Sequence, residues 1–320
     1  MIDWRLIFVG ISCFLGAIPS FGQLAPTPKP PLTEIVVHQN NALHVVVNDS
    51  SLYQERWDTL SQIRFWRRIM TMDSTVALLS IAKTRQVLNA FPSAIYEAME
   101  TEEKRHFKDS LLKKYKLPSY TRLYVTYGKQ DYYQIRETLP IIDQCVDIFQ
   151  EMQVDPWYAQ AILLIESPGI SRTSNVGAVG HFQLMKYVAI SQGLKVNAEE
   201  DEREDLEKSA TAAASFIRTV CLPATRRMLR SRGIRYNERD TWFRLLALHV
   251  YHAGASNVAG ALRKANIRKG GPALIQALWQ TSYRGFRNAS QNYSQLALAT
   301  MLELDRLIER ECSILCPVKL

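Results

Sequence analysis

The sequence predicts a mainly α-helical protein, on the basis of two observations. Apolar residues recur every three or four positions over most of the chain, which is the spacing of helices that bury one face. Strand-like composition is confined to short segments, such as residues 121–127, which end at a glycine. The chain has 320 residues, of which 47% are hydrophobic and 10% aromatic, so it can bury a sizeable core and exceeds one typical domain.

Residues 1–22 have the pattern of a signal peptide. Arg5 precedes an apolar run from Leu6 to Ile18, and small residues occupy the positions that a signal peptidase inspects before residue 23. We therefore expect export and cleavage near that point. A membrane anchor is the alternative, although the run is shorter than the ~20 apolar residues that span a bilayer.

Residues 23–131 are expected to precede the main domain as a linker and an accessory region. Residues 23–52 contain a proline-rich linker and a short hairpin around Asn40 and Asn41. Residues 53–131 are predicted to form a small, mostly helical accessory region. Its helices are expected over residues 60–70, 76–88 and 102–114.

Residues 132–320 are expected to form an almost wholly helical domain. Asp155 and Pro156 supply an N-cap and a first-turn proline for a helix that ends at Glu166. Other helices are predicted over residues 132–152, 182–192, 205–219, 223–231, 241–252, 255–265, 272–280 and 290–311.

Glu166 is the candidate catalytic residue. Its carboxylate would meet the negative end of the helix macrodipole, and Ile162 and Leu163 on the preceding turn would desolvate it. Both effects favour the protonated form. A carboxylic acid that stays neutral near pH 7 is the general acid that cleavage of a glycosidic bond requires.

Two later segments carry residues suited to binding a sugar. In the segment from Ser174 to Met185, Gly177 and Gly180 allow a tight loop that can approach a ligand closely. Gln183 offers both a donor and an acceptor to hydroxyl and acetamido groups. Tyr251 presents a phenol at the end of an apolar helix. Each residue taken alone is better explained as a turn or core residue.

In combination these segments resemble the soluble lytic transglycosylases of bacteria, the SLT family. The family shows Glu-Ser, then Ser-x-x-Gly-Ala-x-Gly-Leu-x-Gln-x-Met, then Ala-Tyr-Asn-Ala-Gly, in the order and at about the distances found here. The resemblance covers roughly residues 132–307. It implies a lysozyme-like all-α catalytic domain that acts on peptidoglycan glycan strands in the periplasm or cell envelope.

The resemblance also implies roles for particular residues. Glu166 would be the single catalytic acid and base. Five residues would bind substrate: Ser174, Gln183, Met185, Tyr251 and Tyr293. The chain departs from the family at His181 and Lys186, and at His252, which replaces an asparagine and is a further candidate titrating group.

The implied reaction is a lytic transglycosylation. Ordinary glycosidases need two carboxylates, whereas here one is well placed, and the acidic run at residues 199–205 is better explained as a solvated segment. In the implied reaction the substrate closes a 1,6-anhydro ring on itself. The alternatives are a hydrolytic muramidase of the same fold and an inactive peptidoglycan-binding or assembly protein.

Charge and cysteine content define the expected partners. The net charge is +8, with sixteen Lys/Arg against six Asp/Glu over residues 222–320, which indicates either attraction to an anionic polymer or a solvated basic face. No nucleic-acid recognition motif is present, so we expect cell-wall glycan as partner, and peripheral membrane contact is compatible with the sequence. We expect no cofactor and no metal, because Cys312 and Cys316 lack a second ligand pair. With Cys145 and Cys221 they make an even number, from which one or two disulfides are expected.

Overall fold

The computed structural model describes residues 33–174 and 176–319. The predicted signal peptide and the proline-rich linker lie outside these residues. The predicted mainly α class is confirmed. Thirteen α-helices are described: α1 (Ser51–Gln54), α2 (Ser61–Thr71), α3 (Ser93–Glu97), α4 (Thr101–Lys114), α5 (Ile135–Glu151), α6 (Trp157–Glu166), α7 (Lys186–Ser191), α8 (Leu206–Phe216), α9 (Leu222–Arg230), α10 (Thr241–Ala253), α11 (Ala255–Ala265), α12 (Pro272–Trp279) and α13 (Asn288–Glu311). Among them, none is long and apolar enough to cross a membrane.

Eight strands accompany the helices. They are β1 (Thr33–Gln39), β2 (Ala42–Asn48), β3 (Val76–Ile81), β4 (Val87–Pro92), β5 (Leu123–Tyr127), β6 (Ala178–Val179), β7 (Leu184–Met185) and β8 (Ser313–Lys319). They form three small antiparallel sheets, in the orders β2-β1-β8, β4-β3-β5 and β6-β7.

The first sheet joins the two ends of the described chain. The predicted hairpin is present as β1 and β2, and both turn residues, Asn40 and Asn41, have positive φ angles. β8 pairs with the free edge of β1 and was not predicted, because the strand with which it pairs lies almost 280 residues earlier in the chain. The sheet packs against α5 and α6. The buried amide of Gln160 in α6 exchanges hydrogen bonds of 2.8 and 2.9 Å with the backbone of Val47.

One segment that was predicted to form a helix belongs to the second sheet. Residues 76–88 instead form β3, the turn after it and the start of β4, and β5 pairs on the other side of β3 at the predicted position. In β3, consecutive residues from Ala77 to Ser80 are all buried. A fully buried strand has no alternation, so its apolar run cannot be distinguished from a buried helix by spacing alone. Arg85, at φ 56°, turns the chain between the two strands.

α6 lies at the centre of the core. Every residue from Trp157 to Ile165 is buried, because a helix that is apolar on all sides must be covered on all sides. α5, α13 and β2 provide this cover. Side chains of the predicted accessory region, including Trp57 and Ile63, belong to the same apolar core.

An ion pair between the buried Arg244 and the partly exposed Asp155 fixes the start of α6. Asp155 accepts a hydrogen bond of 3.0 Å from the backbone N–H of Trp157, as expected for a residue that caps a helix. Its second oxygen lies 2.8 Å from Nε of Arg244 on α10, whose side chain is 2% exposed. The pair therefore ties α6 to α10, the helix that carries Tyr251.

We expect Asp155→Ala to lower the free energy of unfolding by about 3–5 kcal/mol, because it leaves the guanidinium of Arg244 buried without a counter-charge. Urea denaturation measures the change. The matched control is Glu238→Ala, which breaks the more exposed Arg226–Glu238 pair and should cost no more than about 1 kcal/mol. Equal losses in the two variants would show that the Asp155–Arg244 pair is not structurally important.

Candidate active site

A cleft of ≈ 390 Å³ lies beside the C-terminal end of α6. Five of the six predicted site residues line it: Glu166, Ser174, Gln183, Met185 and Tyr251. The sixth, Tyr293 on α13, is buried next to Glu166 and perturbs its pKa. The fold thus brings together site residues that are up to 127 positions apart in the sequence.

Glu166 is the last residue of α6 and is held largely out of water. Desolvation raises the pKa of its carboxyl from 4.5 to about 7, against the opposing influence of the nearby Tyr293 hydroxyl. Ile162 and Leu163, which were expected to desolvate it, are both fully buried. The helix ends here because Pro168 follows and removes a backbone donor. The carboxyl is therefore poised to be protonated near neutral pH.

Four nearby tyrosine side chains interact electrostatically with this carboxyl. Burial, with the charge of Glu166 as a further cause, raises the pKa of Tyr132, Tyr133, Tyr251 and Tyr293. All four are consequently neutral hydroxyls at physiological pH. The buried hydroxyl of Tyr293 has no hydrogen bond of normal geometry within the described residues. It nevertheless lies close enough to Glu166 to lower the pKa of that carboxyl.

A tight loop forms the wall of the cleft opposite α6. β6 and β7 pair within it, and the hydroxyl of Ser174 accepts a hydrogen bond of 2.9 Å from the backbone N–H of Ala178. Gly180 has φ 83°, and a Cβ atom there would lie 1.9 Å from the carbonyl oxygen of Arg203. The glycine is therefore required both by its backbone conformation and by this close approach.

Gln183 holds the loop together, which changes its predicted role. Its side-chain amide nitrogen donates to the carbonyl oxygens of Arg172 at 2.5 Å and Gly180 at 2.8 Å. Both amide hydrogens are then used within the protein. Gln183 lines the cleft as predicted, but only its carbonyl oxygen is available to a ligand.

Tyr251 also connects the loop to the helices. Its hydroxyl donates to the carbonyl oxygen of Phe182 at 2.7 Å, and its ring packs against Phe216 at a centroid distance of 5.7 Å. The ring of the neighbouring His252 packs against the ring of Tyr293, with 4.4 Å between the two ring centroids. His252 lines the cleft and is exposed to solvent, so its role as a titrating group stays a prediction.

The acidic run at residues 199–205 does not supply a second carboxylate to the cleft. A hydrogen bond from Arg203 lowers the pKa of Asp201, and Asp205 caps α8 by accepting from the backbone of Lys208. Glu202 pairs with the Lys208 side chain. Among the described residues that line the cleft, Glu166 is the one carboxylate.

Two arginines that the sequence did not predict as site residues organise the site. Arg203 is 6% exposed and donates to the carbonyl oxygens of Gly177 and Leu184, so it pins both ends of the loop. Arg172 lies over the ring of Tyr132 with its Cζ 4.3 Å from the ring centroid. No sequence signal identified Arg203, because it is embedded in a run of acids that resembles a solvated segment.

The cysteines differ from the prediction that they form disulfides. Cys145 and Cys221 are buried free thiols, and Cys312 is also free. The first two lie on α5 and in the π-helical segment Ile217–Cys221, where they act as small core residues. The predicted disulfides therefore do not form among these three residues.

Residues 148–272 match the family model described as "Transglycosylase SLT domain". The matched segment contains Glu166, the loop from Ser174 to Met185, and Tyr251, whereas Tyr293 lies beyond it. A search of curated proteins finds no match.

The raised pKa of Glu166 predicts a pH-dependent stability. The folded protein binds this proton more tightly than the unfolded chain, whose carboxyl has a pKa of 4.5. The contribution of this proton to the free energy of unfolding is therefore complete below pH 4.5 and is lost as the pH rises toward 7. At about 1.4 kcal/mol for each pH unit between the two pKa values, the loss is up to about 3 kcal/mol.

Glu166→Gln removes this loss, so we expect the variant to be more stable than the parent protein at pH 8 and equally stable at pH 4. Urea denaturation at both pH values tests this. The matched control is Glu151→Gln, at the exposed last position of α5, which should leave the pH dependence unchanged. A Glu166→Gln variant without any gain at pH 8 would contradict the assigned pKa.

Proposed function

We propose that this chain, whose residues 148–272 match the transglycosylase SLT family model, is an exported lytic transglycosylase of peptidoglycan. The activity of the family is glycan cleavage of the lytic transglycosylase type. The proposed bond is the β-1,4 linkage from N-acetylmuramic acid to N-acetylglucosamine. The supporting observation is that Glu166 is the one carboxylate among the described residues that line the cleft, and that desolvation raises its pKa.

In the first step Glu166 acts as general acid. It donates its proton to the glycosidic oxygen while the bond between that oxygen and C1 of the muramic acid breaks. A pKa of about 7 keeps a large fraction of the carboxyl protonated near neutral pH. The acetamido group of the same sugar can stabilise the positive charge that develops at C1, so a second protein carboxylate is not required.

In the second step Glu166 acts as general base. The carboxylate removes the proton from the C6 hydroxyl of the muramic acid, and the C6 oxygen forms a bond to C1. The products are a glycan end with a 1,6-anhydro ring and a free N-acetylglucosamine hydroxyl, and the proton has returned to Glu166. No water is consumed. Intramolecular attack has a large advantage in effective concentration, so positioning of the ring contributes much of the rate.

The tyrosines around Glu166 suit a residue that serves both as acid and as base. In the middle of the cycle Glu166 carries a negative charge in a desolvated site. Tyr293 lowers the pKa of this carboxyl, which stabilises the ionised form and returns part of the desolvation cost. Tyr251 acts indirectly, because its bond to Phe182 fixes the loop that faces the carboxyl.

Export forms part of the proposal. The substrate lies outside the cytoplasmic membrane, and residues 1–22 have the pattern of a signal peptide. We therefore propose the periplasm or cell envelope as the site of action.

We expect the mature protein to release fragments ending in 1,6-anhydro-muramic acid from purified peptidoglycan. Glu166→Gln should lower the rate of release by about 10²–10⁴, because the variant lacks the transferable proton. Mass spectrometry of the digests measures both the yield and the product, since the anhydro end is one water lighter than a hydrolysed end.

The Glu151→Gln variant should digest peptidoglycan at the parent rate. Fragments that have gained a water would identify a hydrolytic muramidase instead. Binding to peptidoglycan without release of fragments by the parent protein would identify an inactive binding protein. Full activity of Glu166→Gln would refute the catalytic assignment.

A further inference from the structure

A second groove, of ≈ 540 Å³, lies away from the cleft and shares no lining residue with it. One wall comes from the turn after β3 and from β5, with Lys83, Arg122 and Tyr124. The other comes from the end of α12, the following loop and the start of α13, with Gln280, Arg287 and Gln291. The groove therefore lies between the β3–β5 sheet and the segment that joins α12 to α13.

The groove is strongly cationic. Lys83, Arg122 and Arg287 are exposed along it, and none of the three forms an ion pair with another residue in the described part of the chain. The residues that line the groove include no aspartate or glutamate. Its positive charge is thus not neutralised by the protein itself, which favours an anionic ligand.

The buried guanidinium group of Arg85 adds to the positive charge of the groove. Arg85 is 4% exposed and lies against the rings of Phe65, Trp66 and Tyr124 at 5.1 to 5.3 Å from their centroids. Its Nη2 donates to the neutral side-chain oxygens of Asn288 and Asn292 at 3.2 Å. Within the described ranges no carboxylate pairs with it. Buried arginines are normally paired with an acid, and two of the residues that Arg85 contacts, Tyr124 and Asn288, line the groove.

The hydrogen-bonding groups narrow the class of ligand. The amide nitrogen of Gln280 donates to the carbonyl oxygen of Lys83 at 2.8 Å, and that of Gln291 donates to Thr281 and Ser282 at 2.8 and 3.1 Å. The carbonyl oxygens of both side chains accept nothing from the described residues and remain as acceptors beside the cations. A suitable ligand therefore has both negative charges and N–H donors.

We propose that this groove binds a short peptide rich in carboxylates. Its carboxylates would pair with Arg122 and Arg287, whose forked guanidinium groups suit this geometry. Its backbone N–H groups would donate to Gln280 and Gln291, and its apolar parts would pack on Tyr124 and Trp279, which also line the groove. A phosphate or phosphodiester supplies charge but no N–H donor, so it fits less well.

Two sources could supply such a peptide, namely the stem peptides of peptidoglycan and an acidic segment of another protein. The inference goes beyond the proposed activity and does not require Glu166 to be catalytic. The test uses the mature protein and two probes, a free stem tetrapeptide and L-triglutamate, with dissociation constants measured by calorimetry or NMR titration.

We expect at least one probe to bind and Arg122→Gln/Arg287→Gln to weaken that binding by about tenfold or more, since each Arg–carboxylate contact is a charge-assisted hydrogen bond. The probe that binds more tightly identifies the source. The control pair Arg239→Gln/Arg310→Gln makes the same charge change at exposed positions outside the groove and should bind within about twofold of the parent.

The proposal is overturned if neither peptide binds, if both double variants lose affinity equally, or if inorganic phosphate displaces the peptide at the same concentration as the peptide itself. Glu166→Gln should bind the peptide as the parent protein does, and Arg122→Gln/Arg287→Gln should still cleave glycan strands that lack stems. These two measurements separate failure of the groove from failure of the proposed catalytic function.

Discussion

Desolvation of one carboxyl group is the constraint on which the site depends. Glu166 ends a helix whose other residues are all buried, so its side chain emerges from the apolar core directly into the wall of the cleft. The helix can occupy that position only because α5, α13 and the β1–β2 hairpin cover its other sides. The fold that stabilises α6 is therefore also what raises the pKa of Glu166 to about 7.

The surroundings of Glu166 balance that desolvation. If the carboxyl were only buried it would act well as an acid and poorly as a base, because its ionised form would be too costly. Tyr293 opposes the effect of burial, and neutral tyrosine hydroxyls add polarity without adding charge. The loop opposite is held by backbone and buried groups, notably Arg203 and Gln183. The conformation of the loop that faces Glu166 is thus set by contacts within the protein and does not depend on a bound substrate.

The sequence predicted the helical part of the fold well because amphipathic spacing and capping residues are local signals. Helices α8 to α13 lie close to their predicted positions, and Glu166 was identified from the apolar residues of its own helix. The errors have non-local causes. β3 is buried on both faces and so lacks the alternation of a surface strand. β8 forms only by pairing with β1, almost 280 residues earlier.

The same limit applies to the functional groups. Motif spacing indicated that Gln183 faces a sugar, but it could not show that its amide hydrogens are used by Arg172 and Gly180. The cationic groove depends on Arg85, Arg122 and Arg287, which are distant in sequence and belong to no motif. Only the packing of the β3–β5 sheet against α12 and α13 brings these charges together.

The central claim, that burial holds Glu166 protonated near neutral pH, can be measured directly by following the ¹³C resonance of its side-chain carboxyl through a pH titration. The resonance is assigned by its loss in Glu166→Gln. We predict a midpoint at about 7. A midpoint near 4.5, the ordinary value for a glutamate, would contradict the account.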